Sequence, residues 1–245
     1  MSGRSATRSA TRMVLPAMGA AALLHGAPAL TARGPLRWVL PGLSGRGRPG
    51  GVGLTFDDGP DPEGTPAVLD VLAGLGWTAT FFLLGSQVRR HPAVARAIVA
   101  AGHDVGVHGD RHRNHLTRSA AWIRQDLGRA RADIAAVTGT RPTWFRPPYG
   151  VLSTGSLRAA RALDLTPVLW TTWGRDWEGI PASQVLAHLV SGLDDSGTVL
   201  LHDSDCTSSP RSWVSTVAVL PLLAAELDRR GLTARPLRDH LARPG

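Results

Sequence analysis

The chain has 245 residues, 43% of them hydrophobic and 19% charged, a composition that excludes global disorder. Its single cysteine and its lack of lysine exclude a disulfide framework, a zinc site built on cysteine pairs, lysine Schiff-base chemistry and the lysine of a phosphate-binding P-loop. The net charge of +8 comes mostly from residues 1–50, which have seven arginines and no acid; residues 51–245 have 20 arginines against 19 acids, which argues against nucleic-acid binding.

Residues 1–50 have the composition of a leader followed by a linker. Three arginines precede the apolar run MVLPAMGAAALL, and Ala-Pro-Ala at 27–29 is a small-x-small cleavage site. The run is shorter than the ~20 residues that span a membrane, so an uncleaved amphipathic helix is the alternative. The stretch GLSGRGRPGG at 42–51 is typical of a linker. We therefore expect an exported protein, with the cytoplasm as the alternative, in which residues 1–50 provide any membrane or cell-wall association and residues 51–245 form one domain.

Short apolar segments alternate with helical segments along this domain. Strands are predicted at 51–56, 78–84, 104–107, 143–145, 165–170 and 198–201, and helices at 65–75, 92–102, 119–137, 156–163, 182–193 and 214–229. The helix over 119–137 has the clearest apolar stripe. Regular β-then-α alternation favours a parallel sheet covered by helices, either doubly wound or closed as a barrel.

Polar residues follow five of the predicted strands directly or closely. They are Asp57 and Asp58, His108, Arg146, Asp176 and His202. The carboxyl ends of parallel strands meet at one edge of the sheet, where α/β folds build their sites. Five clusters at that edge predict a single pocket.

Two histidines and an aspartate form a candidate metal site. His108 and His112 are four residues apart, which places both imidazoles on one side of a helix or tight turn. Two histidines with one carboxylate are a common catalytic zinc set that leaves a position for water. If Asp58 supplies the carboxylate, a cation would offset its repulsion with Asp57, and Asp57 would be free to take a proton from that water. Histidines at this spacing also occur on solvated surfaces, and His115 is a further candidate.

The polar clusters belong to five ordered motifs: TFDDGP at 55–60, HGDRH at 108–112, RPPYG at 146–150, GRDW at 174–177 and LLHD at 200–203. In order and spacing they resemble the motifs of polysaccharide deacetylases with a NodB-homology domain, carbohydrate esterase family 4. The resemblance implies a distorted (β/α) barrel with fewer than eight regular strands. It also implies one divalent metal, usually Zn²⁺ and sometimes Co²⁺ or another ion. The implied reaction is hydrolysis of N-acetyl groups on GlcNAc-type glycans, such as peptidoglycan or chitin-type oligomers, and we expect a monomer.

The resemblance also assigns roles to individual residues. By motif match, the metal ligands are Asp58, His108 and His112, the catalytic base is Asp57 and the general acid that protonates the leaving amine is His202. Arg146 would hold and tune the base, and Asp176 would orient the acid.

Three further residues are expected to contact the substrate. A backbone N–H near Tyr149, a feature of the family, would stabilise the oxyanion, whereas the alternative for this side chain is a turn plug packed on the core. Leu200 resembles the residue that lines the acetate-methyl pocket, and a buried strand leucine fits the position equally well. Of the tryptophans at 144, 170, 173 and 177, Trp177 is predicted near the site and no position is predicted for the others.

The motifs depart from the family pattern at two positions. Gly109 replaces the usual Ser or Thr of the histidine motif, which removes a hydroxyl near the metal ligands. Trp173 replaces the first Asp of the usual Asp-x-x-Asp-Trp motif, so only Asp176 remains to pair with His202.

Two other functions compete with an active deacetylase. A different metal-dependent hydrolase such as a phosphoesterase would use Arg146 to clamp phosphate. Against this alternative, the sequence shows candidate ligands for only one metal ion and no Gly-rich phosphate loop. A non-catalytic carbohydrate-binding protein would keep the fold without turnover; Asp57 and His202 argue against it and Trp173 argues for it.

Overall fold

The computed structural model describes residues 42–241. In this part of the chain the strands are β1 (Gly51–Asp57), β2 (Thr80–Leu83), β3 (Asp104–Val107), β4 (Trp144–Phe145), β5 (Thr166–Pro167), β6 (Thr172–Trp173), β7 (Thr198–His202) and β8 (Thr233–Arg235). The α-helices are α1 (Gly64–Leu75), α2 (Gly85–Arg90), α3 (Pro92–Ala100), α4 (Ala120–Thr138), α5 (Thr154–Ala162), α6 (Ala182–Gly192), α7 (Trp213–Arg230) and α8 (Leu237–His240). Short 3₁₀ helices cover His115–Thr117, Pro148–Gly150 and Asp176–Glu178.

The strands form one sheet in the order β5-β4-β3-β2-β1-β7-β6, with β8 paired to the first residues of β1. Each strand pair among the described residues is parallel. All seven residues of β1 are buried, as expected for a central strand covered on both faces. Because parallel strands end at the same edge, the polar residues that follow them are brought to one side of the molecule.

A single buried side chain shows that the sheet is curled. Arg146 follows β4, yet its Nη1 lies 2.7 Å from Thr55 Oγ1 and 2.9 Å from Asp57 Oδ1 on β1. Strands β3 and β2 lie between, and three strand spacings would separate β4 from β1 by about 14 Å in a flat sheet. An arginine can cross that gap only through the inside of a curved sheet. The predicted distorted (β/α) barrel is therefore confirmed. Fewer than eight regular strands were expected; the described sheet has eight strands, of which β4, β5 and β6 have only two residues each.

Helices cover the outside of the curled sheet. Helix α4 buries Ile123, Leu127 and Ile134, the apolar stripe that the sequence predicts. The helix begins after Ser119, whose side chain caps the N–H of the third helical residue, and ends at Gly139 with φ 73°. Helix α4 packs on α5, and α7 packs between α1 and α6. The apolar core lies between these helices and the sheet.

The structure differs from the predicted elements mainly in short segments. Helix α2 and the last two elements, β8 and α8, were not predicted. The predicted strand at 165–170 is reduced to β5, and β6 lies just beyond it. Here the carbonyls of Val168 and Leu169 accept hydrogen bonds from Arg146 instead of joining a strand ladder.

Residues 42–50, with the composition of a linker, lie against the domain. Ser44 is buried, Gly47 N donates to Ser196 O at 2.9 Å, and Arg46 forms an ion pair with Asp194. The leader predicted in the first 41 residues lies outside the described residues. Within residues 42–241, no helix combines the length and the hydropathy that crossing a bilayer requires.

Candidate active site

A cavity of about 340 Å³ opens at the carboxyl edge of the sheet. Its lining includes eight of the ten predicted site residues: Asp57, Asp58, His108, His112, Tyr149, Trp177, Leu200 and His202. The other two, Arg146 and Asp176, are buried behind the lining, in contact with Asp57 and His202 respectively. All ten predicted residues therefore lie in one site.

Three ligand atoms converge within this cavity. Asp58 Oδ1 lies 3.4 Å from His108 Nε2 and 3.6 Å from His112 Nε2, and one ligand atom from each residue lies within 4.8 Å of the others. Among the described residues Asp58 Oδ1 is buried without a hydrogen-bond partner, which is costly for a carboxylate unless a cation faces it. Nitrogen and oxygen ligands about 2.0–2.1 Å from a tetrahedral ion lie roughly 3.4 Å apart. The residues present therefore fit a zinc-like divalent cation.

Hydrogen bonds orient two of these three side chains. His108 Nδ1 donates to the backbone carbonyl of Arg146 at 2.8 Å, which leaves Nε2 free to act as a ligand. Thr207 Oγ1 donates to Asp58 Oδ2 at 2.5 Å, so Oδ1 is the oxygen left for an ion. Burial lowers the pKa of His108 to about 3 against the opposing charge of Asp58, so its imidazole is in the neutral form that binds metals.

The backbone that presents the ligands is irregular. His108 and His112 lie on the loop after β3 rather than on a helix, with their ring centroids 5.1 Å apart. Asp58 has φ 78° and Gly109 has φ 95°, both in the left-handed region that aspartate tolerates and glycine adopts freely. The positive φ of Asp58 turns it away from the direction of β1, which ends at Asp57.

His115 lies outside the candidate metal site. It is buried, its Nδ1 lies 3.0 Å from Ser156 Oγ, and its ring stacks on Phe145. It is a core histidine with a hydrogen-bond partner, and the choice between His112 and His115 as a neighbour of Asp58 falls on His112.

Arg146 holds Asp57 from behind the cavity. Its Nη1 bonds Asp57 Oδ1 and Thr55 Oγ1, and its other two nitrogens donate to backbone carbonyls after β5. The guanidinium is fully buried and lies 4.2 Å from the centroid of the Phe82 ring. Burial raises the pKa of the Asp57 carboxyl, while the charge and hydrogen bond of Arg146 oppose that rise. Asp57 Oδ2 is the oxygen left to face the cavity.

His202 lies beside Asp57 and is held by Asp176. His202 and Asp57 are register partners on the parallel strands β7 and β1. His202 Nδ1 lies 3.2 Å from Asp176 Oδ1, and Thr216 Oγ1 donates to Asp176 Oδ2 at 2.7 Å. Burial alone would lower the pKa of His202, but Asp176, with smaller contributions from Asp58 and Asp57, outweighs burial and raises it to about 9. His202 is therefore a protonated imidazole near neutral pH.

The sequence and fold of the chain were compared with those of known proteins. Residues 44–168 match the model of the polysaccharide deacetylases. The chain belongs to the polysaccharide deacetylase family. It is 34% identical to a chitooligosaccharide deacetylase of Bradyrhizobium sp. (strain ANU 289) over 193 residues, which cover 76% of this chain and 88% of that protein.

Two solved structures illustrate the range of the deacetylase family. One is a peptidoglycan N-acetylglucosamine deacetylase in complex with an N-oxidanyl-benzamide, with a TM-score of 0.77, 27% identity, and coverage of 85% of this chain and 97% of that chain. The other is a carbohydrate esterase family 4 pseudoenzyme of Bacillus anthracis, with a TM-score of 0.73, 27% identity, and coverage of 80% and 66%. Similarity of fold in this family thus occurs with and without activity.

The two departures from the deacetylase motifs have clear positions. At Gly109 the φ of 95° favours glycine, and an added Cβ would lie 3.0 Å from Asp126 Oδ2. Trp173 is 45% exposed and lines the cavity, with its ring 4.7 Å from Trp177 and 6.1 Å from Trp170. Together Trp170, Trp173 and Trp177 form an aromatic wall, whereas Trp144 lies away from the cavity and donates to Asp104.

Residues at the rim and behind the site complete the lining. Tyr149 is exposed, has φ 60°, and its ring lies 4.3 Å from that of His112, so it is not a plug packed on the core. Leu200 is buried yet reaches the cavity. Sequence reasoning did not identify Thr207, which holds Asp58, or Thr216, which holds Asp176. Neither threonine belongs to a motif, so no local signal marked them.

Proposed function

We propose that this polysaccharide deacetylase is an active, divalent-metal-dependent hydrolase that removes N-acetyl groups from GlcNAc-containing glycans. The observation that carries the proposal is the convergence of Asp58 Oδ1, His108 Nε2 and His112 Nε2 in a cavity that Asp57 and His202 also line. The names of the relatives, which act on chitooligosaccharides and on peptidoglycan, support the substrate class.

Asp58, His108 and His112 would hold the cation, which would act as a Lewis acid towards the acetamide carbonyl and towards water. Asp57 would take the proton of the attacking water at Oδ2, because Oδ1 is engaged by Arg146. The carboxylate thus stays fixed in orientation while it accepts the proton.

His202 would supply the second proton transfer. Its Nδ1 is held by Asp176, so Nε2 would carry the proton that the leaving nitrogen receives as the C–N bond breaks. Water and the amide then give acetic acid and the free amine, with one proton taken by Asp57 and one given by His202, and the acid loses its proton to solvent as acetate. Leu200 would contact the acetyl methyl, and a backbone N–H near Tyr149 would donate to the oxyanion.

Arg146 disfavours the phosphoesterase alternative. Its side chain is fully buried, and its three nitrogens already donate to Asp57, Thr55 and backbone carbonyls. Four of its five N–H donors are thus engaged, and its burial behind Asp57 keeps it from clamping a phosphate in the cavity. In addition, residues 42–241 contain one group of side chains able to share a metal ion, not two.

A non-catalytic role remains the second candidate because one structural neighbour is a pseudoenzyme. A variant of that protein is described as having restored activity, so the fold tolerates both states. In this chain the base, the acid, their partners and the candidate ligands are all present, which favours turnover.

The proposal is tested by acetate release from N-acetylglucosamine oligomers by the purified full chain. We expect activity that a chelator abolishes and Zn²⁺ restores. Asp57→Asn should abolish acetate release while bound metal, measured by elemental analysis, is retained; His112→Ala should lose both. Phosphate release without acetate would identify a phosphoesterase, and oligomer binding without either product would identify a binding protein. Assays on peptidoglycan, chitin oligomers and O-acetylated xylan would define the preferred polymer.

A further inference from the structure

A second groove, of about 630 Å³, adjoins the candidate active site. His112 and Thr207 line both the groove and the active-site cavity, so the two form one continuous depression. A glycan whose acetamido group lies at the candidate metal ligands can therefore extend into this groove with a neighbouring sugar or its substituent.

The groove is strongly cationic. Four arginines line it, Arg89, Arg90, Arg111 and Arg113, and among the described residues no acidic side chain does so. All four are exposed. The groove is therefore lined by positive charge, whereas the active-site cavity is lined by the aromatic wall.

Two of these arginines have no partner of their own. Arg89 bonds both Asp110 and Asp133, and Arg111 lies 3.9 Å from Asp110, which is buried. In contrast, the side chains of Arg90 and Arg113 make no hydrogen bond or ion pair with any residue in 42–241. Their guanidinium groups remain available to a ligand.

The local fold explains only part of this charge. Arg89 and Arg90 lie in the last turn of α2, where the helix dipole favours a cation. Arg111 and Arg113 lie on the irregular loop after β3, on either side of His112, where no helix end accounts for them. Two separate segments thus direct positive charge to the same groove beside the candidate metal site.

We propose that this groove binds a carboxylate carried by the glycan substrate, close to the sugar that is deacetylated. The proposal rests on the proposed deacetylase function and narrows its substrate to acidic N-acetylated glycans. A guanidinium presents a planar fork of donors that matches a carboxylate, and a cationic groove raises the local concentration of an anionic substrate. The carboxylate can come from an acidic ether on the neighbouring sugar ring or from a peptide branch.

The test compares full-length wild type with the double variant Arg90→Gln/Arg113→Gln on matched oligomers. These are a neutral N-acetylglucosamine oligomer, an oligomer of equal length bearing lactyl ether carboxylates, its amidated form, and a form carrying a peptide branch. We expect the double variant to lose about threefold in kcat/KM per arginine, roughly tenfold in total, on a carboxylate substrate. The loss should lie in KM rather than kcat, should shrink at high ionic strength, and should be absent on the neutral and amidated oligomers.

The substrate on which the loss first appears identifies the source of the carboxylate. A loss already present with the lactyl oligomer assigns the ring substituent, and a loss confined to the branched oligomer assigns the peptide. Arg158→Gln, which removes an exposed arginine of α5 that does not line the groove, is the matched control and should change no substrate's KM. Equal kinetics of wild type and double variant on every oligomer would overturn the proposal while leaving the deacetylase function intact.

If no oligomer releases acetate, the deacetylase function fails and calorimetric binding still tests the groove. Tighter binding of the lactyl or peptide-branched oligomer by wild type than by the double variant supports the groove. Equal affinity of the two proteins for those oligomers overturns it.

Discussion

Two adjacent carboxylates at the end of β1 have different surroundings. Asp57 ends the strand and bonds the buried guanidinium of Arg146, whereas Asp58 turns aside with φ 78° towards His108 and His112. The left-handed conformation thus separates a carboxylate suited to proton transfer from one suited to binding a cation. Arg146 offsets the burial of Asp57, whereas the buried Oδ1 of Asp58 would be offset by a cation held with the two histidines.

The charge of Asp176 is expected to set the alkaline limit of activity. A general acid must be protonated, so acetate release should fall as pH rises through the pKa of His202, which Asp176 helps to raise to about 9. Asp176→Asn removes the negative charge that outweighs the effect of burial, so the pKa of His202 should fall. We therefore expect the alkaline limb of the kcat/KM profile to move by roughly 1–3 pH units towards acid.

Thr216→Val is the control for this shift. It removes a hydrogen bond to Asp176 without removing the negative charge, so the alkaline limb should move much less than in Asp176→Asn. An alkaline limb that stays in place in Asp176→Asn would show that His202 is not the group that titrates there.

At the residue scale, the sequence predicted the side chains at the site but not all their partners. Asp58, His108 and His112 could be predicted to converge because each follows a strand of the same parallel sheet. Thr207, which bonds Asp58, lies 149 positions away in the chain and belongs to no motif. Such a hydrogen bond depends on the path of a loop, and the periodicity of a sequence carries no information about that path.

At the scale of elements, segments with a clear apolar run or helical period were predicted, and several of the shortest segments were not. Helix α4 and strands β1, β3 and β7 lie within one or two residues of their predicted bounds, because apolar spacing and end residues define them. Helix α2 has six residues, and β5 and β6 have two residues each, too few to show a period. Their positions depend on tertiary contacts such as the bonds of Arg146 to the chain after β5.

The loop that carries His108 and His112 is expected to depend on glycine at position 109. Alanine there would hold a left-handed φ and place its Cβ 3.0 Å from Asp126 Oδ2, so Gly109→Ala should lower the free energy of unfolding by about 1–2 kcal/mol. Relief of this close contact would move the loop backbone, which should displace the two imidazoles and weaken metal binding. Denaturant unfolding and metal titration would measure both effects.

Gly74→Ala is the matched control for the loop variant. Gly74 lies within α1, has no positive φ, and has no atom within 4 Å of an added Cβ. That substitution should stabilise the protein by roughly 0.4–1 kcal/mol and leave metal affinity unchanged. If Gly109→Ala is as stable as wild type and binds metal equally, the left-handed turn is not required.

The aromatic wall is expected to bind the sugar rings on either side of the reacting acetamide. Trp173 is exposed between Trp170 and Trp177, so Trp173→Ala removes the most accessible face of the wall. We expect KM for N-acetylglucosamine oligomers to rise about five- to tenfold, from roughly 1–1.5 kcal/mol of lost stacking, with kcat little changed. Trp173→Phe keeps an aromatic face and should recover most of the affinity; an unchanged KM in Trp173→Ala would mean that substrate does not contact this wall.

At the scale of the whole molecule, the curl of the sheet brings the site together. The alternation of strands and helices predicted a parallel sheet but left its closure open, because alternation is common to doubly wound and barrel folds. Arg146 decides between them by spanning the interior from β4 to β1. Its backbone carbonyl also orients His108, so one residue links the fold, the base and the candidate metal ligands.

A bound cation is therefore expected to stabilise the entire domain. It would join β1 to the loop after β3 through Asp58, His108 and His112, and an ion that binds only the folded state adds about 2.7 kcal/mol at a concentration of 100 times its Kd. Thermal unfolding of the metal-free full chain should thus shift to higher temperature as Zn²⁺ is titrated in. In His112→Ala the shift should be largely lost, while Arg158→Gln should retain it. A melting temperature of the wild-type protein that does not respond to Zn²⁺, Co²⁺ or other divalent ions would mean that these three side chains do not share a metal.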